Sequence, residues 1–173
     1  AARRFGRAME RREVQKEYLA IVSGWPEWDR QRVAEPILRQ GEVRESRIWI
    51  KQVAHPDGKD AATDFEVLRR FENAQGSFAV VRAMPETGRT HQIRVHLGCL
   101  GHPIVGDKIY GPSEDCYLEF IETGWSRGLE KLLYLPRHAL HASRLAIPDE
   151  TGGLDWSSSM PSAFREFCEI KSC

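Results

Sequence analysis

Residues 86–111 read ETGRTHQIRVHLGCLGHPIVGDKIYG, and the division of this stretch into turn, helix and turn decides how the rest of the chain is arranged. Glu86-Thr87-Gly88 breaks the preceding apolar run. Thr90 then stands where an N-cap belongs, and Ile93, Leu97 and Leu100 recur at helical spacing. Gly101 and Pro103 form a stop signal, so a helix of roughly three turns is expected. On it Arg94 falls away from the apolar stripe, about one turn from Thr90 and Gly98, and reads as an exposed arginine on an uncrowded surface. The same residues also alternate, with Thr90, Gln92, Arg94 and His96 against His91, Ile93, Val95 and Leu97. The cap and stop residues favour the helix over the strand.

Working upstream, residues 77–84 (SFAVVRAM), between Gly76 and Pro85, carry the pattern of a largely buried strand. Residues 62–71 (ATDFEVLRRF) place Thr63, Phe65 and Val67 on one face. The loop of residues 72–76 is short enough to join the two as an antiparallel hairpin. His55-Pro56-Asp57-Gly58 is a turn. Residues 29–37 and 43–53 read as two irregular strands rich in Arg and Glu, with Trp49 as the apolar anchor. Residues 14–23 (VQKEYLAIVS) alternate as a strand, with Tyr18, Ala20 and Val22 on one side and Leu19 and Ile21 on the other, and residues 1–12 read as a helix. Downstream, residues 112–131 form a peripheral excursion with a short helical patch. Residues 140–147 (LHASRLAI) return as a strand, Thr151-Gly152-Gly153 turns, and residues 161–170 close the chain as a helix with Ser162 near its start. The pattern implies an α+β fold: a mainly antiparallel (mixed) sheet with helices laid against one face.

The chain has 173 residues, 41% hydrophobic and 29% charged. That fits one globular domain, residues 1–173, and contains no apolar run long enough for a membrane span. No signal peptide is visible, although the first residue is Ala rather than Met, so an upstream segment stays open. Cys99, Cys116, Cys168 and Cys173 show no CxxC spacing, which argues against a structural zinc site or disulfide framework and fits a reducing cytoplasm. Net charge is zero, a weak argument against a nucleic-acid partner. Within residues 1–16, however, Arg3, Arg4, Arg7, Arg11, Arg12 and Lys16 outweigh Glu10 and Glu13. A solvated helix face accounts for that run unless other features point to phosphate.

Metal binding finds little support. His91 and His96 point apart on either a helix or a strand, and His138 and His141 have no companion ligand at a convincing spacing. Nucleophile-elbow, phosphate-loop and dinucleotide fingerprints are absent. What remains is GRTHQIRVHLGCLGHPIVGDKIYG together with Lys16-Glu17-Tyr18. This motif resembles the signature of RluA-type RNA pseudouridine synthases, which isomerise uridine in ribosomal or transfer RNA. KEYLAIVSG resembles the family strand bearing the active-site tyrosine, HPDGKDAATDFEVLRRF its hairpin strand, and RHALHASRLAIP its late His-Ala strand. The resemblance runs from about residue 11 to residue 164.

The resemblance implies a structured RNA partner, rRNA or tRNA, no cofactor and no metal. It implies that Tyr18 packs against the uracil ring and that Arg94 pairs with a catalytic aspartate. Arg89, Thr90, His91 and Gln92, at the helix start, would meet phosphate or sugar, with Lys16, Arg11 and Arg12 adding basic contacts. Asp107 and Tyr110 match motif positions for which a turn and a packing role suffice, and His102 and His141 read as structural. One departure stands out. The family's nucleophilic aspartate lies in a segment resembling HRLDxxTSG upstream of the tyrosine strand, and no such string occurs here. The expectation is therefore the later portion of a catalytic domain, incomplete at its N-terminus and inactive by itself. A non-catalytic RNA-binding module on the same fold is the alternative.

Overall fold

A computed structural model describes residues 6, 8, 11, 13–147 and 153–169. The expected helix over residues 1–12 and turn over 151–153 therefore lie mostly outside the described residues, as does Arg12. The described strands are β1 (Gln15–Ser23), β2 (Arg30–Val33), β3 (Ile37–Arg39), β4 (Gln52–Ala54), β5 (Thr63–Asn73), β6 (Gly76–Pro85), β7 (Leu140–Ile147) and β8 (Leu154–Ser157). Six make one sheet in the order β2-β5-β6-β1-β7-β8, while β3 and β4 pair separately. Every pairing between these strands is antiparallel.

β1 sits between β6 and β7, so Ala20, Ile21 and Val22 are all fully buried rather than alternating in and out. The β5–β6 hairpin forms as expected with a tighter connection: Asn73 pairs with Gly76, leaving Ala74 and Gln75 as the turn. The Asn73 side chain closes it by accepting from the Gln75 N–H at 2.9 Å, a local side-chain turn typical of Asn.

Two sequence expectations fail in this part of the chain. The strand expected over residues 29–37 splits at Ala34–Pro36, because Pro36 has no N–H to donate to a ladder, and its two ends join different sheets. Residues 43–51 are turns, bends and irregular loop, with only β4 extended. Trp49 is not the anchor: it is 75% exposed, whereas its neighbour Ile48 is buried.

The central helix, α1 (Gln92–Cys99), is two turns long rather than three. Thr90 is not its cap. His91 occupies that position in a left-handed conformation, φ 58°, without a side-chain cap, and the Gln92 amide oxygen instead accepts from the Arg89 N–H at 3.0 Å. The stop acts as expected: Gly101 adopts φ 77° and the His102 N–H returns to the Leu97 carbonyl at 3.0 Å. Further helices are α2 (Asp115–Thr123), α3 (Arg127–Leu133) and α4 (Ser162–Cys168). The first two share a small core of Cys116, Leu129 and Leu133, which makes the expected excursion a packed helical pair.

Register places helices on both faces of the sheet rather than one. Thr63 shares a face with Phe65 and Ala83, and α1 meets it there through His96 and Gln92. On the opposite face Phe71 and Phe78 pair across the strands, and Phe167 of α4 packs on both, its ring 4.9 Å from that of Phe78. That second face also carries an unbroken charge ladder from β2 at one edge to β8 at the other. Arg30 pairs with Glu66 at 2.9 Å, Glu66 with Arg82 at 3.0 Å, Arg82 with Glu17 at 3.5 Å, Glu17 with Arg144 at 2.8 Å, and Arg144 with Asp155 at 2.6 Å. Such solvent-facing pairs add little stability each. Their consequence is electrostatic: three arginines and three carboxylates neutralise one another within this face.

Candidate active site

The other face is where the motif residues converge. Strand alternation turns Glu17 into the charge ladder and Tyr18, paired with Ala83, to the side of α1, while the pairing with β7 skips Ser143 between them. Between β1 and the start of α1 lies a cleft of about 400 Å³ lined by Lys16, Tyr18, Arg89, His91, Arg94 and His138, with Pro85, Thr87 and Leu140 among its apolar and neutral walls. Among the described residues none of those lining it is acidic.

Arg94 lines this cleft but is not the exposed arginine that helical spacing suggested. It is 9% exposed. Its guanidinium grips Asp107 in a bidentate pair, Nε to Oδ2 at 2.6 Å and Nη2 to Oδ1 at 2.7 Å, the fork geometry that makes Arg–carboxylate pairs strong and directional. Asp107 is 1% exposed and also accepts from the N–H groups of Ile109 and Tyr110 at 3.0 and 3.1 Å. Burial alone would raise its pKa. The hydrogen bonds and charge of Arg94, joined by the two backbone N–H groups, outweigh that and hold the carboxyl below its usual range. Asp107 is therefore more than the turn residue its sequence context suggested. Nothing in residue spacing announces the pair, because 13 residues and a turn separate the partners.

Tyr110 extends the network. Its ring lies 4.8 Å from the Arg94 guanidinium; its hydroxyl accepts from the Gln52 N–H at 2.9 Å and meets His91 Nδ1 at 2.9 Å. Burial pushes the Tyr110 hydroxyl up to about 12, and burial together with the Arg94 charge pushes His91 down to about 4. His91 is therefore neutral at physiological pH and its ring orientation is set by Tyr110. Lys16 donates to the Thr87 carbonyl at 3.3 Å, with burial lowering its pKa. Arg89 is anchored by its Nε to the Asp60 carbonyl at 2.9 Å.

Three residues expected to contact RNA do not offer their side chains to this cleft. Gln92 borders it but is buried, and its amide is used internally: it accepts from Thr87 Oγ1 at 2.6 Å and from the Arg89 N–H, and donates to the Ala62 carbonyl at 2.9 Å and to Thr63 Oγ1 at 3.0 Å. An amide with both donors and acceptor engaged holds the 87–92 turn on the sheet rather than reaching for ligand. Gln92→Leu, which strands these partners, is expected to lower stability by about 2 kcal/mol in denaturant unfolding; an unchanged midpoint would show the network to be dispensable. Thr90 is exposed and lines a neighbouring groove instead. Arg11 is exposed, 3.9 Å from Glu13, and does not line the cleft. Sequence reasoning missed His138, brought to the cleft by the chain entering β7. Among the described residues no cluster of three or more His, Cys, Asp or Glu is placed to hold a metal, and no helix is long and apolar enough to cross a membrane.

The antiparallel sheet with its flanking helices agrees with what similarity to known proteins shows. Residues 1–98 match the RNA pseudouridylate synthase family model. The chain is 33% identical over 169 residues to the ribosomal large subunit pseudouridine synthase D of Pasteurella multocida, covering 94% of this chain and 47% of that protein. It is 32% identical over 176 residues to the enzyme of the same name from Escherichia coli K12, covering 98% and 48%. Among solved structures, human RNA pseudouridylate synthase domain containing 1 superposes with a TM-score of 0.66 at 28% identity, over 89% of this chain and 58% of that one. The chain belongs to the RNA pseudouridylate synthase family. It spans about half the length of the curated relatives it matches.

Proposed function

We propose that the chain is the later portion of a catalytic domain that isomerises uridine to pseudouridine in structured RNA, ribosomal RNA in the first instance and transfer RNA as the further possibility, in the cytoplasm. One observation carries the reading: Tyr18, Lys16, His91 and Arg94 converge on one cleft whose lining, among the described residues, holds no acidic side chain. The reaction breaks the C1′–N1 glycosidic bond, turns the detached uracil and joins C5 to C1′; the proton released from C5 is matched by one taken up at N1. No atom is gained or lost overall, so the site's task is to hold a flipped base while it is unattached. Tyr18 offers a ring face for the uracil. Lys16 and Arg89, at the rim, suit the backbone phosphates. Arg94, fixed by Asp107, offers its remaining edge to a second carboxylate, that of the nucleophile.

The nucleophile is the part these residues do not supply at the cleft wall. With RNA tritiated at uridine C5, the 173-residue chain alone is expected to bind RNA, with affinity falling as salt rises, and to release no tritium. Release by this chain would overturn the missing-carboxylate reading; a salt-independent affinity would count against phosphate contacts. A lining without a carboxylate among the described residues also suits a second reading, an RNA-binding module without catalysis. Supplying the aspartate-bearing segment upstream separates the two: release then requires Arg94, and Arg94→Ala is expected to cut it roughly 100-fold.

A further inference from the structure

Beyond the cleft, the most exposed large apolar side chain among the described residues is Trp49, at 75%. It is not a stray surface residue. The Arg39 guanidinium lies 4.0 Å from its ring centroid, and Arg39 Nε is buried without a hydrogen-bond partner, its nearest carboxylate being Glu42 at 3.6 Å. The turn that carries Trp49 hangs from buried Ile48 and from the two-stranded β3–β4 sheet, and Lys51 braces it against Glu114 at 2.6 Å. The platform is therefore held rigidly although its ring faces solvent. Its chain neighbour Ile50 is also exposed, and residues 37–54 hold four basic residues, Arg39, Arg44, Arg47 and Lys51, against Glu42 and Glu45.

A groove of about 350 Å³ starts at Gly88 and Arg89, both of which also line the uridine cleft, passes Thr90 and Lys59, and ends at Arg39, with Glu42 and Asp57 as its acidic wall. We infer that this groove and the Arg39–Trp49 pair form a second RNA subsite, where the strand leaving the cleft runs along the groove and one of its bases stacks on Trp49. The inference rests on the proposed RNA substrate. An aromatic ring backed by a guanidinium is the usual means of holding an unpaired base without reading its sequence. It also gives Thr90 a ligand-facing role outside the cleft.

The test compares the wild-type chain with Trp49→Ala and Trp49→Phe on two probes, a uridine trinucleotide that fills the cleft alone and a longer oligouridylate that reaches the groove. Trp49→Ala is expected to weaken the long probe on the order of tenfold and leave the trinucleotide unchanged, with Trp49→Phe restoring most of the loss. Because the ring is solvent-facing, circular dichroism should not change. Equal affinity of Trp49→Ala and wild type for the long probe would overturn the subsite. So would a change of oligomeric state with unchanged RNA affinity, which would mark Trp49 as a contact between two copies. A wild-type chain that binds neither probe would overturn the RNA reading itself.

Discussion

Asp107→Asn is expected to destabilise the chain by about 3 kcal/mol, a fall in Tm on the order of 10 °C for a protein of this size. The substitution keeps the shape of the side chain and removes its charge. Arg94, 9% exposed, is then left with a neutral amide that turns one N–H toward its own guanidinium. Breaking a buried pair from one side costs more than the pair itself contributes, since the remaining charge has neither water nor partner. Exposure of Arg94 to the cleft moderates this, which is why the lower end of the usual range applies. The pH dependence follows from the lowered Asp107 pKa: the contribution is present above the unfolded-state value near 4 and is lost as pH falls through the folded-state value. Acid unfolding of the wild type should therefore be steeper than that of Asp107→Asn. Thermal melts at neutral pH check the first part, and an unchanged Tm would mean that Arg94 is held by something else. Replacing both residues by leucine should recover stability without recovering any function that needs the guanidinium.

Gly106→Ala is the second large effect, again about 3 kcal/mol or more. Gly106 has φ 78°, a conformation that costs an L-residue roughly 1–2 kcal/mol. A Cβ there would overlap the Arg137 carbonyl oxygen and lie 2.8 Å from the Arg137 carbonyl carbon and 3.0 Å from the Leu135 carbonyl oxygen, all backbone atoms that cannot rotate aside. The neighbouring backbone cannot yield cheaply either, because Val105 donates to the Ile21 carbonyl at 2.9 Å and accepts from the Ala139 N–H at 2.8 Å. Gly101 is the internal control. It has φ 77°, but a Cβ placed there would meet nothing within 4 Å, so Gly101→Ala should show only the conformational penalty. Equal losses at the two glycines would show that crowding at Gly106 is relieved. Since Gly106 leads directly into Asp107, Gly106→Ala should also loosen the grip on Arg94.

These two residues mark the boundary of what local sequence can show. The hairpin, β1, β7 and the closing helix follow from apolar runs and turn residues, which act within a few positions of one another. The stop at Gly101 is equally local. The helix start escapes such reasoning because Thr90 has the right chemistry for a cap, while Gln92, whose side chain reaches Ala62 and Thr63 about thirty positions back, takes over that task through tertiary contact. Trp49 escapes it for a related reason: hydrophobicity marks it for burial, but a surface turn and the Arg39 guanidinium hold it in solvent.

Residue order alone is enough for the fold class, for the family through its central motif, and for Tyr18, Lys16, Arg89, His91 and Arg94 as candidates that do line one cleft. The burial of Arg94 against Asp107, the use of Gln92 by the scaffold and the charge ladder on the far face emerge only in the folded chain. Local patterns set which face of a strand or helix is apolar. Pairing between charged groups depends on which distant backbone segments meet, and that is settled only when the sheet register closes.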